Sequence, residues 1–139
     1  MKARRVRGLD PEKPLRGNAK RIVETRLAEL LAMAGPALEP AAAQAQHDLR
    51  IAAKRLRYVL EITEACIGPE AVAARKAAKE LQGLLGEIHD CDVMLVDAVE
   101  IESLLVLLRT RRELLVRRFR RLWEAEFEGG TWLALERAL

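Results

Sequence analysis

Apolar residues recur at three- and four-residue spacing along most of this chain, a helical period rather than the alternation of strands. Ile22, Val23, Leu27, Leu30 and Leu31 mark one side of a first helix, predicted from Asn18, as its cap, to about residue 34. Gly35 and Pro36 then read as its end. A loop through Pro40 leads to a long second helix over about 41–66, closed by Gly68 and Pro69. Pro69 suits the first turn of a third helix, expected over about 69–88. A fourth stretch runs over about 92–127, with room for a bend near 109–112. Gly129 and Gly130 break it, and Thr131 is placed to cap a short terminal helix over 132–139. Short links between successive helices predict an all-α protein, an antiparallel four-helix bundle with a short C-terminal helix. Residues 1–16, with Gly8, Pro11 and Pro14, read as an extended basic arm, and 17–139 as one bundle.

Composition supports that class. Half of the 139 residues are apolar yet only 4% are aromatic, so the residues that favour strands are sparse. No apolar run approaches the roughly 20 residues of a membrane span, and the start lacks an apolar leader core. A cytoplasmic location is therefore expected. Cys66 and Cys91 have no metal-ligand spacing and read as reduced, buried thiols.

Charge changes the picture more. Residues 1–27 hold nine Lys or Arg against three acids, whereas the remaining 112 hold fifteen against eighteen. The body is not generically basic, which argues against a plain nucleic-acid binder. Any anion site there has to come from placement. Seven Arg between 109 and 121 alternate with apolar residues and fit a solvated helix face.

Placement is informative on the second helix. Leu49, Ala52, Ala53, Leu56, Val59, Leu60 and Thr63 form its core arc at 100° per residue. His47, Arg50, Lys54 and Arg57 fall at steps of three and four in a separate arc, a line of cations about 15 Å long. Like charges at these steps repel by a few tenths of a kcal/mol per pair, roughly, unless acids intervene. A linear polyanion would reverse the sign of that term. Arg offers forked donors to phosphate oxygens and Lys a mobile point charge. A second row, Lys76, Lys79 and Gln82, shares one face of the third helix and is expected to flank the first. Gly83 and Gly86 there suit close helix approach, an opening for a ligand, or simply a frayed helix end. Asp90 and Asp92 are candidates to pair with Arg50 or Lys54, Tyr58 adjoins the stripe, and His89 is expected at a helix end.

With these stretches side by side, HDLRIAAKRLRYVLE (47–61) and KELQGLLGEIHDCDVML (79–95), the chain resembles the CHAD family, the conserved histidine α-helical domains. The first fits H-x-x-R-x-x-x-K-x-x-R-Y at every named position. The second fits L-Q-x-x-L-G-x-x-x-D through Leu81, Gln82, Leu85, Gly86 and Asp90. The resemblance extends over roughly 15–139. It implies a non-catalytic module that binds inorganic polyphosphate, with no cofactor, through His47, Arg50, Lys54 and Arg57. Lys76 and Lys79 follow from it less directly, with Tyr58, Gln82, His89 and Asp90 in support. It further implies association with a triphosphate-processing enzyme and a place at polyphosphate granules. Full-length members carry two helical bundles related by approximate twofold symmetry. This chain has length for one, so two copies are expected to pair as a homodimer.

Rival readings come from other classes. The His47–Asp48 and His89–Asp90 dipeptides suggest a metal-dependent phosphohydrolase, but two histidines supply few ligands, and Asp48 lies about 100° around the helix from His47. A histidine phosphotransfer protein also uses one exposed His on a bundle. Such sites place a Lys three residues on, where this chain has Arg50. Nucleic-acid binding lacks stacking aromatics near the stripe apart from Tyr58.

Overall fold

The computed structural model describes residues 2–139, so Met1, the first residue of the expected arm, lies outside the described residues. The chain forms α1 (Leu15–Ala37), α2 (Ala43–Ile67), α3 (Pro69–Asp97), α4 (Glu102–Leu122) and α5 (Gly130–Ala138). A π-helical turn, Trp123–Phe127, continues α4. The described residues contain no strand, and no helix among them is long and apolar enough to cross a membrane.

Helix α3 is the centre of the fold, packing against α2, α4 and α5, while α1 packs on the other flank of α2. The α2–α3 contact is rich in small residues. Ala52 and Ala53 are buried on α2, and Ala71, Ala74, Ala77 and Ala78 on α3. Side chains this short let two helix axes approach closely. Leu49, Leu56, Leu60, Leu81, Leu85 and Ile88 are also buried, at 1% exposure or less; burial of each such side chain contributes about 1.5–3 kcal/mol. Gly68, at φ 119°, makes the turn between α2 and α3, and Pro69 opens α3 as expected. Trp123, Phe127 and Trp132 close the far end of the core, Trp123 stacked on Phe127 at 4.8 Å.

Several boundaries differ from the sequence expectation. Asn18 does not cap α1, which begins three residues earlier, after Pro14. Its side chain is engaged with Asp10 instead, accepting from the Asp10 N–H and donating to the Asp10 carbonyl, both at 2.8 Å. Gly35 and Pro36 lie inside α1, where Pro36 falls in the last turn; the turn is closed by the Leu38 N–H bonding to Ala34 and Gly35. Helix α3 does not stop near 88 but continues to Asp97, burying Ile88 and Cys91. The fourth stretch expected over about 92–127 is divided instead: the chain turns at 98–101, and α4 is continuous through 109–112, where there was room for a bend. Thr131 does not cap α5: its hydroxyl donates to the Glu126 carboxylate, and α5 starts at Gly130, whose backbone passes so close to the Ala125 carbonyl that a Cβ would meet it at 2.6 Å. Cys91 is buried and Cys66 half-buried, both as free thiols. Burial pushes the Cys91 thiol's pKa up against the opposing pull of Arg111.

The basic arm does not extend away from the body. The Arg4 N–H donates to the Glu29 carboxylate at 3.0 Å, and the Arg26 guanidinium donates to the Arg4 carbonyl at 2.9 Å. Glu29, 1% exposed on α1, also takes Arg26 and, from α2, Arg55 at 2.7 Å. Burial pushes its carboxyl upward, but the Arg4 N–H and the Arg55 and Arg26 guanidiniums outweigh it. The pKa lies below the ordinary carboxylate value.

Candidate functional site: a basic trough between α2 and α3

Close packing of α2 on α3 brings the flanks of the two helices together. Arg50 and Arg57 from α2 and Lys79 and Gln82 from α3 line one open pocket of about 370 Å³. Gly83, Gly86, Glu87 and Asp90 form the rest of its wall. The glycines serve the opening that their sequence position suggested. A Cβ at Gly83 would meet nothing within 4 Å, whereas one at Gly86 would lie 3.3 Å from Arg50 Nε. Gly86 therefore lets the Arg50 side chain lie flat against the α3 backbone.

His47 sits one turn before Arg50, in an adjoining hollow of about 360 Å³ with His89, Asp92, Val93 and Val96. Its ring stacks on His89, centroids 4.5 Å apart and planes inclined by 28°. His89 is thus not at a helix end with its carbonyls to bond; the continuation of α3 places it mid-helix, facing His47. Lys54 is exposed on the outer side of the stripe, 5.8 Å from the ring centre of Tyr58, with the Arg57 guanidinium 4.7 Å over the same ring. Tyr58 does not line the trough and acts as a support for two of its cations.

Lys76 is exposed and does not line the pocket with Lys79. Asp92 does not pair with Arg50 or Lys54. It is held by Arg112 of α4 at 2.5 Å, in a network where Arg112 also donates to Gln46 and to the Pro40 carbonyl. Asp90 lines the trough and makes no ion pair among the described residues. Asp48 accepts from Gln44 at 3.0 Å, and no group of three or more metal-binding side chains occurs among the described residues.

Most of the cations on this surface carry no ion pair, a property shared by cations elsewhere in the described residues, Arg5 and Arg21 among them. Arg57 reaches Glu61 at 3.5 Å, one half-exposed pair. Among the described residues, Arg50, Lys54, Lys76 and Lys79 make no ion pair at all. Hydrogen bonding does separate it from the others. Among the described residues, three buried side-chain polar atoms have no partner: His47 Nδ1, Arg57 Nε and Gln82 Oε1. All three lie along the trough and its His47 end. Native proteins pair almost all such atoms, with protein groups or with water, each exception costing about 1–3 kcal/mol.

Of the site residues named from sequence, Arg50, Arg57, Lys79, Gln82 and Asp90 line one pocket and His47 and His89 face each other in a second, while Lys54, Lys76 and Tyr58 line neither. Glu87, which pairs with Arg111, is a wall residue that spacing did not indicate. No curated protein and no solved structure matches this chain. A family model, the CHAD domain, matches residues 2–96. The match starts earlier than the expected 15–139 and ends at the last turn of α3, so it takes in the arm and both walls of the trough. By that match this chain belongs to the CHAD family.

Proposed function

We propose that the trough binds inorganic polyphosphate and does so without turnover. One observation carries the reading: cations without an ion pair, Arg50 and Lys79, occupy the same surface between α2 and α3 as the unpartnered buried atoms of Arg57 and Gln82. The association of the CHAD domain with polyphosphate- and triphosphate-related proteins supports the choice of anion. Arg50 and Arg57 offer forked donors to successive phosphates, with Lys79 opposite. Lys54 extends the row outward, and His47 extends it beyond Arg50. The Gln82 amide can turn its NH₂ end toward a phosphate oxygen, relieving its unpaired carbonyl. Lys76, outside the pocket, would meet only a chain that overruns it. No side chain there pairs a nucleophile with an oriented base, which favours binding alone.

The short links between α1, α2 and α3 fit antiparallel neighbours in a bundle. Pairing of two copies has its own support. Val93, Met94, Val96, Val99, Ile101 and Leu107 are all exposed between 46% and 73% around the α3–α4 turn, a concentration of apolar surface typical of contact sites. Because Val93 and Val96 adjoin His47 and His89, a homodimer formed there would bring two troughs close together. A cytoplasmic role at polyphosphate stores, beside a triphosphate-processing enzyme, follows from the same reading.

The test is a titration with long-chain polyphosphate against sulfate and charge-matched DNA. The expected outcome is tight binding of polyphosphate alone among the three. Equal binding of DNA would replace this reading with a nucleic-acid one. For pairing, light scattering at micromolar concentration should give twice the chain mass; a monomer would remove it.

A further inference from the structure

We propose a second anion site, between the N-terminal arm and α1, that takes a small condensed phosphate independently of the trough. Arg4, Arg5, Arg7 and Arg21 converge on one pocket of about 360 Å³, with Glu24 and Thr25 in its wall. None of these four guanidinium groups makes an ion pair among the described residues. Glu24 is occupied elsewhere, 3.8 Å from Lys20, and the Thr25 hydroxyl donates to the Arg21 carbonyl.

A basic terminal segment is ordinarily a frayed, solvated tail. This one is built. The main chain of Arg4 is fixed from both sides, its N–H on the buried Glu29 and its carbonyl on Arg26. The Asp10–Asn18 pair fixes the arm's other end, at 2.8 Å in each direction. Between the two anchors Gly8 takes φ 75°, and a Cβ there would lie 2.7 Å from Arg21 Nη1. Glycine is thus needed for the backbone turn, and its missing Cβ leaves room for the Arg21 guanidinium in its present position beneath the arm. Anchoring the backbone while leaving four guanidiniums unpaired brings like charges together, an arrangement that a multiply charged anion stabilises.

The ligand class follows from the lining. Four forked donors around a small volume suit phosphoryl oxygens, and no lining side chain is aromatic, so nothing there stacks a base. The site is separate from the trough. Arg55, which reaches Glu29 beneath the arm, lies about 140° around α2 from Arg50 by helical geometry.

The experiment uses tripolyphosphate as probe and a full-length Arg50→Ala/Lys54→Ala variant, so the trough contributes little. Calorimetry should still detect binding, and adding Arg5→Ala and Arg7→Ala should weaken it about tenfold or more, as loss of charge-assisted hydrogen bonds does. Neither residue anchors the arm. A further variant, Gly8→Ala, keeps every charge but obstructs Arg21, and it should weaken binding with the helical circular dichroism unchanged. Absence of tripolyphosphate binding to the trough variant would overturn the site. So would full binding by either arm variant, or displacement of the probe by charge-matched DNA. Each result is read without the trough, so failure here leaves the long-polyphosphate titration standing on its own.

Discussion

Two arginines five residues apart on α2 have opposite circumstances. Arg55, on the α1 flank, is committed to the buried Glu29 carboxylate at 2.7 Å. Arg50, on the α3 flank, lies in an open trough against Gly86 with no acid paired to it. Both belong to the same basic run and differ little in type or sequence context. The difference is the partner across the interface: the α1 carboxylate reaches Arg55, whereas the two α3 carboxylates in the trough wall, Glu87 and Asp90, form no ion pair with Arg50 among the described residues. One flank spends its positive charge on holding the arm, α1 and α2 together. The other keeps its charge available. A cation's role here is therefore set by which carboxylates the neighbouring helix brings within its reach.

The strongest way to break the comparison is to remove the free cations. Arg50→Ala with Lys54→Ala should weaken long-chain polyphosphate binding about a hundredfold, from two lost charge-assisted contacts, with thermal stability nearly unchanged. The reverse change is Glu29→Ala. It should destabilise the fold by about 2 kcal/mol, less than the roughly 3–5 kcal/mol of a fully buried pair, because Arg26 and Arg55 keep 15% and 24% exposure. Chemical denaturation measures it, and polyphosphate affinity of the folded fraction should stay the same. Gly86→Ala sharpens the contrast by splitting the two properties. A better helix former should raise stability by up to about 1 kcal/mol, while its Cβ displaces Arg50 and lowers affinity a few-fold.

The smallest effect concerns acid. Glu29 has its pKa lowered in the fold from an ordinary 4.5, so its contribution is fully present above that value and is lost as pH falls through the lower, folded one. Glu29→Gln should therefore show a flatter loss of stability below pH 4.5 than the parent; identical acid unfolding curves would contradict the assignment.

What the sequence made legible divides along the same line. The stripe was readable because it is local: three- and four-residue steps place His47, Arg50, Lys54 and Arg57 whatever surrounds the helix, and the apolar arc with Ala52 and Ala53 marks its core face. Glu29 was not readable. Its role depends on Arg4 and Arg55, 25 and 26 residues away, and nothing in local spacing connects them. The end of α3 was misread for a similar reason. Gly83 and Gly86 suit a frayed end, but Arg50 lies over Gly86, Arg112 pairs with Asp92, and the helix runs on to Asp97 and carries His89 to His47. The arm reads as extended because Gly8, Pro11 and Pro14 preclude a helix, and only the fold supplies the carboxylate that fixes it.

The most direct measurement is the salt dependence of long-chain polyphosphate affinity for the parent and for Arg50→Ala/Lys54→Ala. Cations free in the unliganded protein release condensed counterions from the polymer when they bind, so log affinity should fall linearly with log salt. The slope should be shallower in the variant by about 1.4, two contacts at roughly 0.7 each on a flexible single-stranded polyanion. Equal slopes in the two proteins, or affinity indifferent to salt, would contradict the account.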